Sequence, residues 1–158
     1  MLGTGHALEE RYSLTDKTFE TPLGKVATDR DTVKRLRSAA DTALAEDDFA
    51  HRSEHSIEFQ LLFLQRLFPM DRVPIVPLLC GSFDDLFRNG GDPGKDSGIT
   101  ALVGELRCWL EEPPAGKLIV AGVDLSHVGL KFGDQLPARS LESEFTRHDR
   151  LLLDALES

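Results

Sequence analysis

Cysteine is scarce: Cys80 and Cys108 are the only two in 158 residues. Two thiols cannot build a disulfide framework, and this pair has no metal-ligand spacing. Both fall in apolar periodic segments, where buried thiols are common, which predicts a reduced, cytoplasmic compartment. Long hydrophobic runs are also missing. The longest, Leu118 to Val123 and Leu61 to Leu64, are far shorter than a membrane span. No basic, apolar, small-residue succession opens the chain, so no secretory leader is expected. Blocks of Lys and Arg are absent as well. Eighteen basic residues face 27 acidic ones, a net charge of −9. Such a chain is a poor match for a phosphate backbone or an anionic membrane, so neither is expected as a partner. Aromatic residues are few, and the single Trp109 and Tyr12 read as packing residues. There is no Gly-x-Ser-x-Gly elbow, no phosphate loop and no paired-cysteine zinc site.

What is present is ordinary globular material: 41% hydrophobic and 28% charged residues. The length predicts a single domain, 1–158. Asn89 to Gly98, rich in Gly and Asp, reads as a long surface loop. Four helices can be argued. One follows Asp29, a good N-cap, with Val33, Leu36, Ala40 and Leu44 at helical spacing. A second follows Ser53, carries Ile57, Leu61, Leu64 and Phe68, and stops at or near Pro69. A third starts near Ser97, with Ile99, Leu102, Val103, Leu106 and Leu110 on one side, and stops at Pro113-Pro114. The last runs from Pro137 with Leu141, Phe145, Leu152 and Leu156 as its inward face. Val73 to Leu79 and Leu118 to Val123 are short, β-branched and bounded by Pro and Gly, as buried strands are. Gly24 to Thr28 is a weaker third strand. Met1 leads at once into Leu2-Gly3-Thr4-Gly5-His6, which reads as the end of a strand and its loop with the strand itself missing. Strands alternating with helices predict an α/β sheet covered on both faces.

In such sheets functional groups gather beyond the carboxyl ends of the strands. Asp124-Leu125-Ser126-His127 follows Leu118 to Val123 directly. An imidazole beside a carboxylate suits proton transfer, but the same four residues also suit a plain turn in which Asp124 bonds backbone amides. Glu54-His55-Ser56-Ile57-Glu58 offers a second pair. With Ser53 as cap, His55 lies in the first turn and Glu58 is three residues on, along the same face. A solvated helix start with acidic groups on the dipole explains these residues equally simply. His6 stands in a Gly-containing loop whose spacing is not a dinucleotide fingerprint. His51 and His148 sit among charged residues and read as surface side chains.

Together these stretches resemble the MEMO family, in particular the bacterial branch called AmmeMemoRadiSam system protein B. The stretches are Leu2-Gly3-Thr4-Gly5-His6, Leu14-Thr15-Asp16-Lys17, Phe19-Glu20-Thr21-Pro22-Leu23-Gly24, His51 through Gln60, Val76 through Ser82 and Gly122 through His127. The resemblance covers most of the chain and is most specific in Glu-His-Ser-Ile-Glu and Asp-Leu-Ser-His. It implies a fold similar to the class III extradiol dioxygenases: α/β, with a central, mainly parallel sheet flanked by helices, incomplete here. It places His6 on one of two histidine metal ligands, beside a cysteine ligand. His127 matches the acid/base histidine, with Asp124 as its orienting carboxylate. His55 matches a further pocket histidine, supported by Glu58. The other histidine, in a Pro-His-Ala-Gly motif, and the ligand cysteine have no counterpart in this chain. Neither Cys80 nor Cys108 matches the latter. The resemblance therefore implies the middle of a longer protein, lacking two of three metal ligands.

Three readings follow. The first is a metal-dependent redox or dioxygenase-like protein using non-haem iron or copper in a complete site. The second is a non-enzymatic module binding a small molecule or peptide in the same pocket. The third is an inactive fragment whose exposed sheet edge promotes self-association. The family's usual gene context implies radical-SAM and AMMECR-type proteins as pathway partners.

Overall fold

Alternation along one strand explains most of the architecture. In β5 (Leu78–Cys80) Leu78 and Leu79 are both about 1% exposed, yet successive strand residues face opposite sides of a sheet. A strand buried on both faces needs a covering layer on each. The computed structural model describes residues 1–40, 43–68, 73–114 and 116–157 and supplies those layers. The chain divides into two compact units, Met1–Val123 and Asp124–Ser158.

The first unit is built on a four-stranded sheet with the order β2-β5-β1-β6. Its strands besides β5 are β1 (Leu2–Thr4), β2 (Tyr12–Leu14) and β6 (Ala121–Gly122). β1 runs parallel to β5, pairing Gly3 with Leu79, and parallel to β6, pairing Gly3 with Gly122. β2 is antiparallel to β5. The sheet is therefore mixed and mainly parallel, and the fold class is α/β. A separate hairpin joins β3 (Phe19–Thr21) to β4 (Gly24–Val26). Thr28, just beyond it, bridges to Ile75.

On one face lie α1 (Arg30–Ala40) and α5 (Ser97–Glu111). Val33, Leu36, Ala40, Ile99 and Leu102 pack there with Tyr12, Leu14 and Leu78. Both helices start on an aspartate that accepts a backbone N–H: Asp29 from Thr32 at 3.1 Å and Asp96 from Ile99 at 3.0 Å. Trp109 packs against this cluster and Tyr12 is buried, as expected of them. On the other face α3 (Ser56–Leu67) adds Ile57 and Leu61 to Val26, Ile75 and Leu79.

Leu2–Thr4, read as the end of a strand, is extended and pairs on both sides as β1. Several expectations need correction. Ser53 does not cap α3; it ends a four-residue helix, α2 (Ala50–Ser53), and the chain restarts as a helix only at Ser56. The expected stop at Pro69 lies outside the described residues. Leu118 to Val123 is not a buried strand: only Ala121–Gly122 is extended pairing, on the sheet edge, and Leu118 is 72% exposed. Within Asn89–Gly98 a short turn of helix, Pro93–Lys95, interrupts the loop, and α4 (Asp84–Arg88) precedes it. Cys108 is exposed, and Cys80 is half-buried with its thiol pushed up to about 11 by burial. His51 is buried instead of solvated.

The second unit holds two short 3-10 turns and α6 (Glu142–Glu157). The inward face expected of this helix is not buried: Leu152 and Leu156 are exposed. An apolar stripe becomes a core only against a second apolar surface, and among the described residues of this unit only 3-10 turns accompany α6. Among the described residues no helix is long and apolar enough to cross a membrane.

Candidate functional site

The site of the first unit begins with two glycines. A Cβ on Gly3 would meet Ser56 Oγ at 2.5 Å and Ile57 at 2.7 Å. On Gly122, its neighbour across β1 and β6, a Cβ would meet the Ser56 carbonyl at 2.6 Å. Bare backbone at both positions lets the first turn of α3 rest directly on the sheet. Ser56 Oγ then donates to the Thr4 carbonyl at 2.9 Å, tying that turn to the end of β1. His6, two residues beyond Thr4, is thereby brought beside the residues that open α3.

The residue that meets it is Glu54, to which the sequence alone assigns no role. Its Oε2 accepts from the His6 backbone N–H and lies 2.9 Å from His6 Nδ1. Its Oε1 accepts from the backbone N–H groups of His55 at 2.9 Å and Ser56 at 3.3 Å. His55 Nδ1 also lies 3.3 Å from Oε1. The Glu54 side chain is only 8% exposed. Burial alone would raise its pKa, but the donations from His6, His55 and Ser56 prevail and hold it at about 2. The same carboxylate satisfies the Ser56 N–H that opens α3, where the N-cap residue is His55 and not Ser53.

The His6 and His55 rings are stacked, with centroids 5.5 Å apart and planes 6° from parallel. His55 meets Phe59 edge-on at 5.2 Å. Glu58 is exposed and has no hydrogen bond or ion pair among the described residues, so the carboxylate that supports His55 is Glu54. The 48-residue separation of His6 and Glu54 hid this pairing; only a Glu directly before a His-Ser helix start hinted at it. Beside the cluster lies a cavity of about 470 Å³, lined by Gly5, Leu8, Glu9, Glu46, Phe49 and Glu54 among others.

Asp124 and His127 belong to the second unit and pair there, with His127 Nε2 3.4 Å from Asp124 Oδ2. The His127 ring stacks on Phe132 at 4.9 Å. Ser126 donates through its backbone N–H and its hydroxyl to Asp149 Oδ1, at 3.1 and 2.6 Å. His127 and Asp124 are about half exposed.

The whole length of the chain, residues 1–158, matches the family profile described as Memo-like protein. The chain belongs to this family. A MEMO1 family protein of Aquifex aeolicus is 33% identical over 135 residues, which is 85% of this chain and 32% of that protein. One from Thermus thermophilus is 32% identical over 157 residues, 99% of this chain and 42% of that protein. A third, from Caldivirga maquilingensis, is 39% identical over 115 residues, 72% of this chain and 36% of that protein. The chain thus spans less than half the length of these Memo relatives. No solved structure matches it.

Proposed function

We propose that the chain carries the histidine-bearing part of a metal-dependent redox pocket of Memo type. The observation that supports this reading is the 2.9 Å contact between Glu54 and His6 Nδ1. An outer carboxylate on one ring nitrogen is how proteins orient an imidazole whose other nitrogen meets a metal. The rim residues Glu9, Glu10, Glu46 and Asp47 add negative potential that draws cations toward the cavity.

Non-haem iron and copper each need several nitrogen, oxygen or sulfur donors in a fixed geometry. His6 offers one imidazole, and among the described residues no three His, Cys, Asp or Glu gather to hold an ion. One imidazole binds weakly and without selectivity, since a metal site needs ligand number and geometry. The described residues alone therefore do not fit either metal. In this reading His55 orients the ligand, with Glu58 on the outer side of the same helix start. His127 moves protons and Asp124 orients it. Radical-SAM and AMMECR-type proteins are the proposed pathway partners.

The test is an anaerobic iron(II) and copper(II) titration, by calorimetry, of this chain and of a form extended at both ends to the length of its relatives. His6→Ala is expected to weaken binding by the extended form at least tenfold. Equal binding by the extended form and its His6→Ala variant ends the metal reading.

The cavity also favours a second reading, a binding module without turnover, because Phe49 stands 68% exposed at its wall. Small-molecule or peptide binding that survives combined loss of His6, His55 and His127 would select it.

A further inference from the structure

We propose that Glu54 is the positioning residue of this pocket: it fixes the proton of His6 on Nδ1 and holds the His6 ring against His55. The proposal deepens the reading above and rests on it only for the statement that His6 meets a ligand.

An ionised carboxylate accepts and never donates. The Nδ1 that faces Glu54 Oε2 at 2.9 Å must therefore carry the hydrogen. In the neutral ring the lone pair then resides on Nε2. A solvated imidazole has the opposite preference, with its proton mainly on Nε2, so the arrangement at His6 is imposed. The imposition is rigid because Oε2 also takes the backbone N–H of the same residue, also at 2.9 Å. Backbone and ring of His6 are gripped by one oxygen, which leaves the side chain little rotational freedom. Oε1 is gripped in turn by the N–H groups of His55 and Ser56. Four donors match the four lone-pair sites of a carboxylate, so Glu54 cannot turn toward solvent without abandoning all of them. The same grip carries His6 to the stacking distance of 5.5 Å from His55.

Glutamine tests this sharply. It is nearly isosteric, but one of its two terminal atoms is an NH₂ that cannot accept, so one pair of donors loses its partner.

The experiment is ring-nitrogen NMR on ¹⁵N-histidine-labelled full chain at about pH 8, above the ordinary imidazole range. In the wild type His6 is expected to show protonated Nδ1 and unprotonated Nε2. In Glu54→Gln the ratio of the two tautomers is expected to move at least tenfold toward protonated Nε2. Glu54→Asp, which keeps the charge, is expected to return part of the wild-type pattern. His51, whose Nε2 donates to the Ser13 carbonyl at 3.1 Å, is the internal control for folding. A wild-type His6 protonated on Nε2 overturns the proposal, and that spectrum needs no variant to fold. So does a folded Glu54→Gln that keeps Nδ1 protonated. Absence of metal binding with Nδ1 protonated strikes the pocket reading and leaves this one standing.

Discussion

Two histidines of this chain are held through opposite nitrogens. His51 uses Nε2 on the Ser13 carbonyl and sits inside the first unit; His6 uses Nδ1 on Glu54 and lies at its surface. Burial lowers the pKa of His51 below the ordinary 6.5, against the opposing pull of its Ser13 bond and Asp48; Arg37 and Lys17 lower it further. The folded chain therefore binds fewer protons than the unfolded chain between that lowered value and 6.5, so stability rises with pH across the window. It should be lost as the pH falls from 6.5 through the folded value. Urea midpoints measured between about pH 7.5 and 5 are expected to drop, and His51→Gln should flatten the slope. A midpoint that climbs on acidification contradicts this. The Asp124–His127 pair was legible as neighbours in the chain, whereas the carboxylate expected beside His55 was Glu58 and the structure puts Glu54 there. Glu54's hold on His6 was not legible, because no local pattern marks a partner 48 residues away. His51 was misread because charged neighbours say little about which way a single ring turns.

Among the elements, α1 and α5 were visible in advance, and β5 in part. Helical spacing and the Asp29 cap act locally, and the structure keeps them. Of the expected strand Val73 to Leu79, only Leu78 and Leu79 are in β5, and the β-branched residues lie before it. The short strands were harder. Three residues carry too little alternation to declare β2, which exists because β5 pairs with it; β1 showed only as the strand end before His6. The break between α2 and α3 was hidden because Glu54, not Ser53, satisfies the opening N–H groups. Removing the α5 cap by Asp96→Ala should cost about 1 kcal/mol in urea unfolding. Leu36→Ala, in the middle of α1, should cost about 2–5 kcal/mol because a fully buried side chain leaves a cavity. Gly3→Ala and Gly122→Ala are expected to cost about 1–3 kcal/mol each through overpacking against α3. They should also change the ring-current shifts of His6 and His55. Unchanged shifts in a folded Gly3→Ala chain would deny that the bare backbone sets the place of α3.

At the scale of the molecule, the two units differ in what they bury. Both apolar clusters belong to Met1–Val123. Among the described residues, Asp124–Ser158 has no buried hydrophobic side chain, and Leu151, Leu152 and Leu156 are more than half exposed. Amide exchange follows buried contacts, so strong protection is expected on β1, β5 and α1, and little on α6. Protection of α6 equal to that of α1 would refute this. The bond from His6 to Glu54 has a consequence for how the first unit forms. It closes a span of 48 residues, whose entropy must be lost before the bond returns anything. Helices such as α1 can arise from neighbours alone, but Nδ1 of His6 finds its acceptor only after β1 and the start of α3 have met. During refolding the hydrogen on that nitrogen is therefore a clock: its signal dates the arrival of long-range order, after the helices have already formed.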